Sequence, residues 1–112
     1  MKYALIPIFA ATTALADAPQ VQNVTVTGDR VDVTVLHPDT GWDHYADGWE
    51  VLDADGKRLG FRELFHPHEN EQPFTRSQSG IVIPEGATSI FIRTRCNVDG
   101  WSDELFEVTL AQ

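Results

Sequence analysis

Apolar residues alternate with polar ones along most of the chain, and this alternation constrains the fold more than any other feature. Residues 31–35 read Val-Asp-Val-Thr-Val, and residues 89–96 read Ser-Ile-Phe-Ile-Arg-Thr-Arg-Cys. Successive side chains of a strand point to opposite faces of a sheet, so this pattern indicates strands with one buried face. No segment has convincing helical periodicity. The sequence therefore predicts an all-β fold.

Turn residues separate the alternating stretches at short intervals. Gly28, Gly56, Gly86 and Gly100 each lie within two positions of an Asp or a Pro, as is typical of tight turns. Spacing of this kind is typical of an antiparallel β-sandwich, and we expect about seven strands. The sandwich should form a single domain over residues 19–112.

The first eighteen residues differ from the rest and predict a secretory signal peptide. Lys2 is followed by an apolar run over residues 3–11 and by small residues before position 19. The run is about half of the ~20 apolar residues that a membrane span needs, so no membrane insertion is expected after cleavage. We expect a periplasmic or secreted protein.

The chain is acidic, with a formal net charge of −9. Such a surface repels phosphate backbones, which disfavours nucleic acid as a partner and leaves cations as possible ones. Cys96 is the only cysteine, so no internal disulfide can form. Its position matches Ile90 and Ile92 in the alternation, which favours a buried structural thiol over a copper site made with two histidines.

Two irregular segments, residues 37–48 and residues 65–73, are longer than turns and are expected side by side at one end of the sandwich. The first contains or adjoins three aromatic residues, Trp42, Tyr45 and Trp49. Aromatic rings beside carboxylates suit a surface that recognises a peptide, a glycan or another protein. Packing over the end of the sandwich explains the same residues.

The second segment contains His66-Pro67-His68, where proline places both imidazoles on one side of an extended chain. Neutral imidazoles bind copper or zinc, and His44 or Glu71 could complete the site. The alternative is a rigid loop with ordinary hydrogen bonds and no metal or other cofactor. Two histidines at this spacing leave both interpretations open.

Residues 89–102, which read SIFIRTRCNVDGWS, resemble the sixth and seventh strands of fibronectin type III and related immunoglobulin-like domains. Thr94 and Cys96 depart from that pattern, which usually has aliphatic residues or alanine there. The resemblance implies an immunoglobulin or fibronectin type III-like β-sandwich. Residues 66–77, which read HPHENEQPFTRS, also resemble a stretch found in small exported bacterial proteins without an assigned activity.

No nucleophile, base and orienting residue occur in a recognisable catalytic motif, so we expect no enzymatic activity. Three hypotheses remain at this point. The first is a binding module that uses the two irregular segments, the second is a copper- or zinc-binding protein, and the third is a small hydrolase.

Overall fold

The computed structural model describes residues 18–111, and every regular element in this range is a strand. The predicted signal peptide lies outside the described residues, apart from its last position. The strands are β1 (Gln20–Thr27), β2 (Arg30–Leu36), β3 (Ala46–Leu52), β4 (Arg58–Glu63), β5 (Phe74–Gln78), β6 (Ser89–Cys96), β7 (Gly100–Trp101) and β8 (Phe106–Thr109).

The strands form two antiparallel sheets. One has three strands in the order β1-β2-β5, and the other has five, in the order β4-β3-β6-β7 with β8 also paired to β6. The predicted all-β antiparallel sandwich is confirmed. The described residues contain eight strands, and one of them is the two-residue β7 within the predicted turn between β6 and the last strand.

The core lies between the two sheets, where the inward side chains of the alternating strands meet. Val31, Val33 and Val35 of β2 face Ile90 and Ile92 of β6, and all five are buried. The other members of the buried cluster are Ala46, Trp49, Val51, Leu64, Phe74 and Ile81. Burial of one such aliphatic side chain stabilises the fold by about 1.5–3 kcal/mol.

Both irregular segments lie at the same end of the sandwich, where β2 and β6 finish and β3 begins. Ala46 pairs with Cys96 at this end, and the segments are joined directly. The backbone N–H of His68 donates to Asp39 at 2.8 Å, and that of His37 donates to Gln72 at 2.9 Å.

Among the described residues no helix has the length and apolar character needed to cross a membrane.

Candidate metal centre

His37 continues the inward alternation of β2 beyond the end of that strand. Val31, Val33 and Val35 point into the core, and the next residue of the same parity is His37, whose side chain is fully buried. A buried imidazole needs partners for both ring nitrogens or a ligand at one of them. The surroundings of the two nitrogens therefore decide what this residue does.

Asp39 holds one nitrogen of this imidazole and leaves the other free. His37 Nδ1 lies 2.6 Å from Asp39 Oδ1. The same carboxylate accepts the backbone N–H of Ala46 at 3.0 Å and that of His68 at 2.8 Å. Since a carboxylate accepts, Nδ1 carries the proton and Nε2 presents its lone pair. Within residues 18–111, Nε2 of His37 has no hydrogen-bond partner.

His44 brings a second imidazole against the first. A bridge between Gly41 and His44 folds the segment back on itself. The two rings then pack edge to face, with centroids 4.8 Å apart and planes at 88°. Nε2 of His44 is also buried and lacks a hydrogen-bond partner in the described part of the chain.

Cys96 completes the cluster from the opposite sheet. It is the last residue of β6, it is fully buried, and it carries a free thiol. One potential ligand atom from each of His37, His44 and Cys96 lies within 4.8 Å of the other two. The backbone N–H of Asp99 donates to Cys96 Sγ at 3.3 Å.

The cluster has the chemistry of a transition-metal site. Zinc binds imidazole nitrogen at about 2.0–2.1 Å and thiolate sulfur at about 2.3 Å, and copper accepts the same donors. A histidine that binds a metal usually donates its other N–H to a carboxylate, as His37 does to Asp39. Two buried imidazole nitrogens without partners, beside a thiol, fit an ion better than they fit an empty core.

The histidines of the His-Pro-His stretch lie near each other and are not part of this group of three ligands. Their ring centroids are 4.9 Å apart, and His66 is exposed. His68 stacks on Phe74 at 3.8 Å, and its Nε2 accepts a hydrogen bond from Arg76 at 2.9 Å. Burial, and next the charge of Arg76, lower the pKa of His68. The Nε2 lone pair of His68 is thus already in use.

Of the other two predicted ligands, one lies beside the His-Pro-His stretch and the other lies in the group with His37. Glu71 lies 3.7 Å from Arg76, beside the His-Pro-His stretch. His44 instead packs against His37, as described above. The group of three potential metal ligands that comes together within residues 18–111 is His37, His44 and Cys96.

The three aromatic residues predicted to form a surface divide between surface and core. Trp42 is 66% exposed and packs edge to face on the half-buried Tyr45, with centroids 5.6 Å apart. Trp49 is fully buried in the core. It points inward from β3 between the two sheets, so it contributes to stability and not to a ligand surface.

Sequence reasoning did not name His37 as a candidate ligand and favoured a structural role for Cys96, although the sequence contains a signal for both positions. The alternation of Val31, Val33 and Val35 extends to His37, and that of Ile90 and Ile92 extends to Cys96. Each parity predicts an inward side chain at the end of its strand. The structure confirms that Cys96 is buried, and it places two imidazoles at the same end, so the thiol has two potential co-ligands.

Comparison with known proteins gives two similarities. No protein-family model matches the chain. A predicted lipoprotein of Halomicrobium mukohataei is 43% identical over 76 residues, which is 68% of this chain and 37% of the relative. The chain therefore spans little more than a third of that relative's length.

A superoxide reductase (1Fe-SOR) from Giardia intestinalis has a similar fold, with a TM-score of 0.53 and 17% sequence identity. The match covers 84% of this chain and 97% of the reductase. The expectation of no enzymatic activity is corrected by this likeness, because a fold of this kind carries an enzyme. That expectation rested on the lack of a recognisable nucleophile, base and orienting residue, which metal-ion catalysis does not require.

Proposed function

We propose that this chain is an exported metal-binding domain in which His37, His44 and Cys96 hold one transition-metal ion. One observation carries the proposal: their ligand atoms lie within 4.8 Å of one another, and both imidazoles present unpartnered Nε2 atoms. The hydrogen bond from His37 to Asp39 supports it, because it fixes the tautomer that binds a metal. An ion bound there supplies one-electron or Lewis-acid chemistry.

Copper is the first candidate ion, because two imidazoles and a thiolate are the donors of many copper electron-transfer sites. Zinc accepts the same donors in tetrahedral sites. Iron is a third candidate, since the protein of similar fold is a one-iron superoxide reductase. The acidic surface of the chain, with its net charge of −9, favours the approach of any of these cations.

Export is part of the proposal and has two supports. The first eighteen residues have the pattern of a signal peptide. The relative from Halomicrobium mukohataei is described as a lipoprotein, a class of exported protein. We also infer a fibronectin type III-like arrangement, because a β1-β2-β5 sheet opposite a sheet containing β4, β3 and β6 agrees with that family's strand order.

Metal binding is tested on the purified mature protein with copper, zinc and iron supplied separately. We expect about one equivalent of the preferred ion per chain. His37→Ala, His44→Ala and Cys96→Ser should each weaken binding by more than the about 10–100-fold loss caused by changing a residue that only orients a ligand. With copper, a visible thiolate-to-metal absorption band should be present and should vanish in Cys96→Ser.

The double variant His66→Ala, His68→Ala is the matched control, since it removes the other pair of neighbouring imidazoles. It should keep the bound ion and the absorption band. Loss of metal in this control, with retention in His37→Ala, would move the site to the His-Pro-His stretch. Negligible metal in every protein would refute the proposal.

Superoxide reduction is a second candidate function, favoured by the likeness to a superoxide reductase. Superoxide is an anion, so the net charge of −9 slows its approach unless salt screens the surface. The metal-loaded protein should therefore consume superoxide faster as ionic strength rises. No consumption with any of the three ions would exclude this candidate.

Recognition of a peptide or glycan by the exposed Trp42 and its neighbour Tyr45 is a third candidate. The solvent exposure of Trp42 supports it. Tryptophan fluorescence should then shift with a bound ligand in the wild type and not in Trp42→Ala. The absence of a shift across a broad panel of both ligand types would count against it.

A further inference from the structure

Three segments surround the ligand cluster, and none of them contains a lysine or an arginine. They are residues 37–48, residues 65–73 and residues 96–101. They contain the acidic residues Asp39, Asp43, Asp47, Glu69, Glu71 and Asp99. These three segments therefore carry acidic side chains and no basic ones.

Part of this negative charge is free of internal ion pairs. Asp39 accepts a hydrogen bond from His37, Asp47 pairs with Arg95, and Glu71 lies near Arg76. Asp43, Glu69 and Asp99 are exposed, and within residues 18–111 no lysine or arginine pairs with them.

Two of these free carboxylates lie close together. A Cβ atom added to Gly41 would lie 3.4 Å from Asp43 Oδ1 and 3.7 Å from Glu69 Oε2. The two irregular segments thus contribute one acidic group each to the same place, beside the bridge between Gly41 and His44. Their fields add where a partner would approach the cluster.

Exposed apolar side chains accompany the acids on the same three segments. Phe65 is 68% exposed, Trp42 is 66% exposed and Val98 is 59% exposed. Trp42 lies two positions before His44, and Val98 lies two positions after Cys96. The side chain of Asn97 joins their segments, since it donates to the carbonyl of Trp42 and accepts from the backbone N–H of Tyr45.

Exposed apolar side chains beside acidic ones are typical of a protein interface. Aromatic residues are enriched in the core of an interface, and charged groups at the rim steer the encounter of two proteins. Contacts of electron-transfer partners are small, commonly below about 1,200 Å² in total, which one end of a small sandwich can supply. The negative charge of these segments favours a positively charged partner.

We propose that this end of the molecule, the acidic docking face, binds a basic redox protein that exchanges one electron with the ion held by His37, His44 and Cys96. The inference rests on the proposed function for its electron source. The acidic docking face consists of Trp42, Asp43, Phe65, Glu69, Val98 and Asp99. A reduced ion held there, cuprous or ferrous, would lose one electron to a ferric haem partner, whose iron would become ferrous; zinc has no redox chemistry and would not do so.

The test uses cytochrome c, a small basic haem protein, as the probe partner and the full mature chain with and without metal. Binding is measured by calorimetry and by shifts of backbone amide resonances. We expect the shifts to cluster on the acidic docking face and the affinity to fall steeply as salt is raised. A small acidic ferredoxin should not bind.

Two double variants that lose the same number of negative charges distinguish binding at the acidic docking face from general electrostatic attraction. Asp43→Asn with Glu69→Gln should weaken binding by about tenfold at low salt, because steering charges change association rates by 10-fold or more. Asp55→Asn with Glu85→Gln removes the same charge at the opposite end and should change binding little. Trp42→Ala should weaken binding at high salt too, whereas Val82→Ala, another exposed apolar site, should not.

Electron exchange is followed in the metal-loaded protein by the reduction of the haem in stopped flow, and its rate should fall in the same variants. Equal effects of the two charge pairs, or shifts spread over the whole surface, would overturn the acidic docking face. Docking without any metal binding would refute the proposed function and leave the surface supported. If metal binds but docking does not depend on the charge variants, the acidic docking face would be refuted and the proposed function would stand.

Discussion

At the scale of single residues, Asp39 determines what His37 can do. Its carboxylate accepts three hydrogen bonds: one from the protonated Nδ1 of His37 and one each from the backbone N–H groups of Ala46 and His68. These contacts fix the tautomer and the ring orientation of the imidazole. Asp39 is therefore a positioning residue for His37, and through that imidazole it would act on the proposed ion.

Asp39→Asn should weaken metal binding by about 10–100-fold while leaving the three ligands in place. The amide oxygen accepts a weaker hydrogen bond from Nδ1 of His37 than a carboxylate does. The amide NH₂ group can also donate to that same Nδ1 atom, which would oppose the metal-binding tautomer. Metal titration gives the affinity, and the copper absorption band reports the changed ligand environment. Asp43→Asn, which changes an exposed neighbour, should keep both values. Unchanged affinity and spectrum in Asp39→Asn would contradict the positioning role.

His68 makes the stability of the fold depend on pH. Its pKa lies below the ordinary value of 6.5, because burial and the nearby Arg76 disfavour the protonated ring. Below a pH of about 6.5, the unfolded chain therefore binds more protons at this histidine than the folded chain does. The contribution of neutral His68 to stability is complete above that pH and is lost progressively as the pH drops towards the folded pKa.

The free energy of unfolding of the metal-free protein, measured in urea, should therefore decrease between pH 7.5 and pH 5.5. His68→Gln should reduce this decrease, since glutamine does not titrate. His66→Gln, at an exposed imidazole, should keep most of it. An identical pH dependence in wild type and His68→Gln would show that this residue contributes nothing to it.

At the scale of the elements, β3 presents a charged outer face while its inner face packs in the core. Glu50 lies on the outer face, where the arginines cover it and leave it buried. Its carboxylate accepts hydrogen bonds from Arg58 at 2.8 Å and from Arg93 at 2.7 Å. Arg58, Arg93 and Arg95 also lie over the ring of Trp101. The carboxylate thus ties β4, β3 and β6 together across the five-stranded sheet.

Glu50→Gln should lower the free energy of unfolding by about 1–3 kcal/mol, because two charge-assisted hydrogen bonds are weakened at a buried site. Chemical denaturation followed by tryptophan fluorescence measures the change. Glu63→Gln, at an exposed position of β4, is the comparison and should stay within about 0.5 kcal/mol of wild type. Equal stability of both variants would mean that the ion pairs contribute nothing net.

At the scale of the whole molecule, period-two alternation was enough to predict the two-sheet fold, since Val31, Val33, Ile90 and Ile92 state directly which side is buried. The candidate metal site was harder to predict. His44 was assigned to His66 and His68 because the two irregular segments were expected to meet, while the potential ligands that it joins follow β2 of one sheet and end β6 of the other. The pairing of sheet ends depends on topology, which a local pattern does not contain.

The position of the three donors has a mechanical consequence. His37 follows β2 of the three-stranded sheet, whereas Cys96 ends β6 of the five-stranded sheet. A coordinated ion would therefore cross-link the two layers, a task that small exported domains usually give to a disulfide and that a single cysteine cannot perform alone. The supply of metal outside the cell would then govern how firmly the two halves of this molecule hold together.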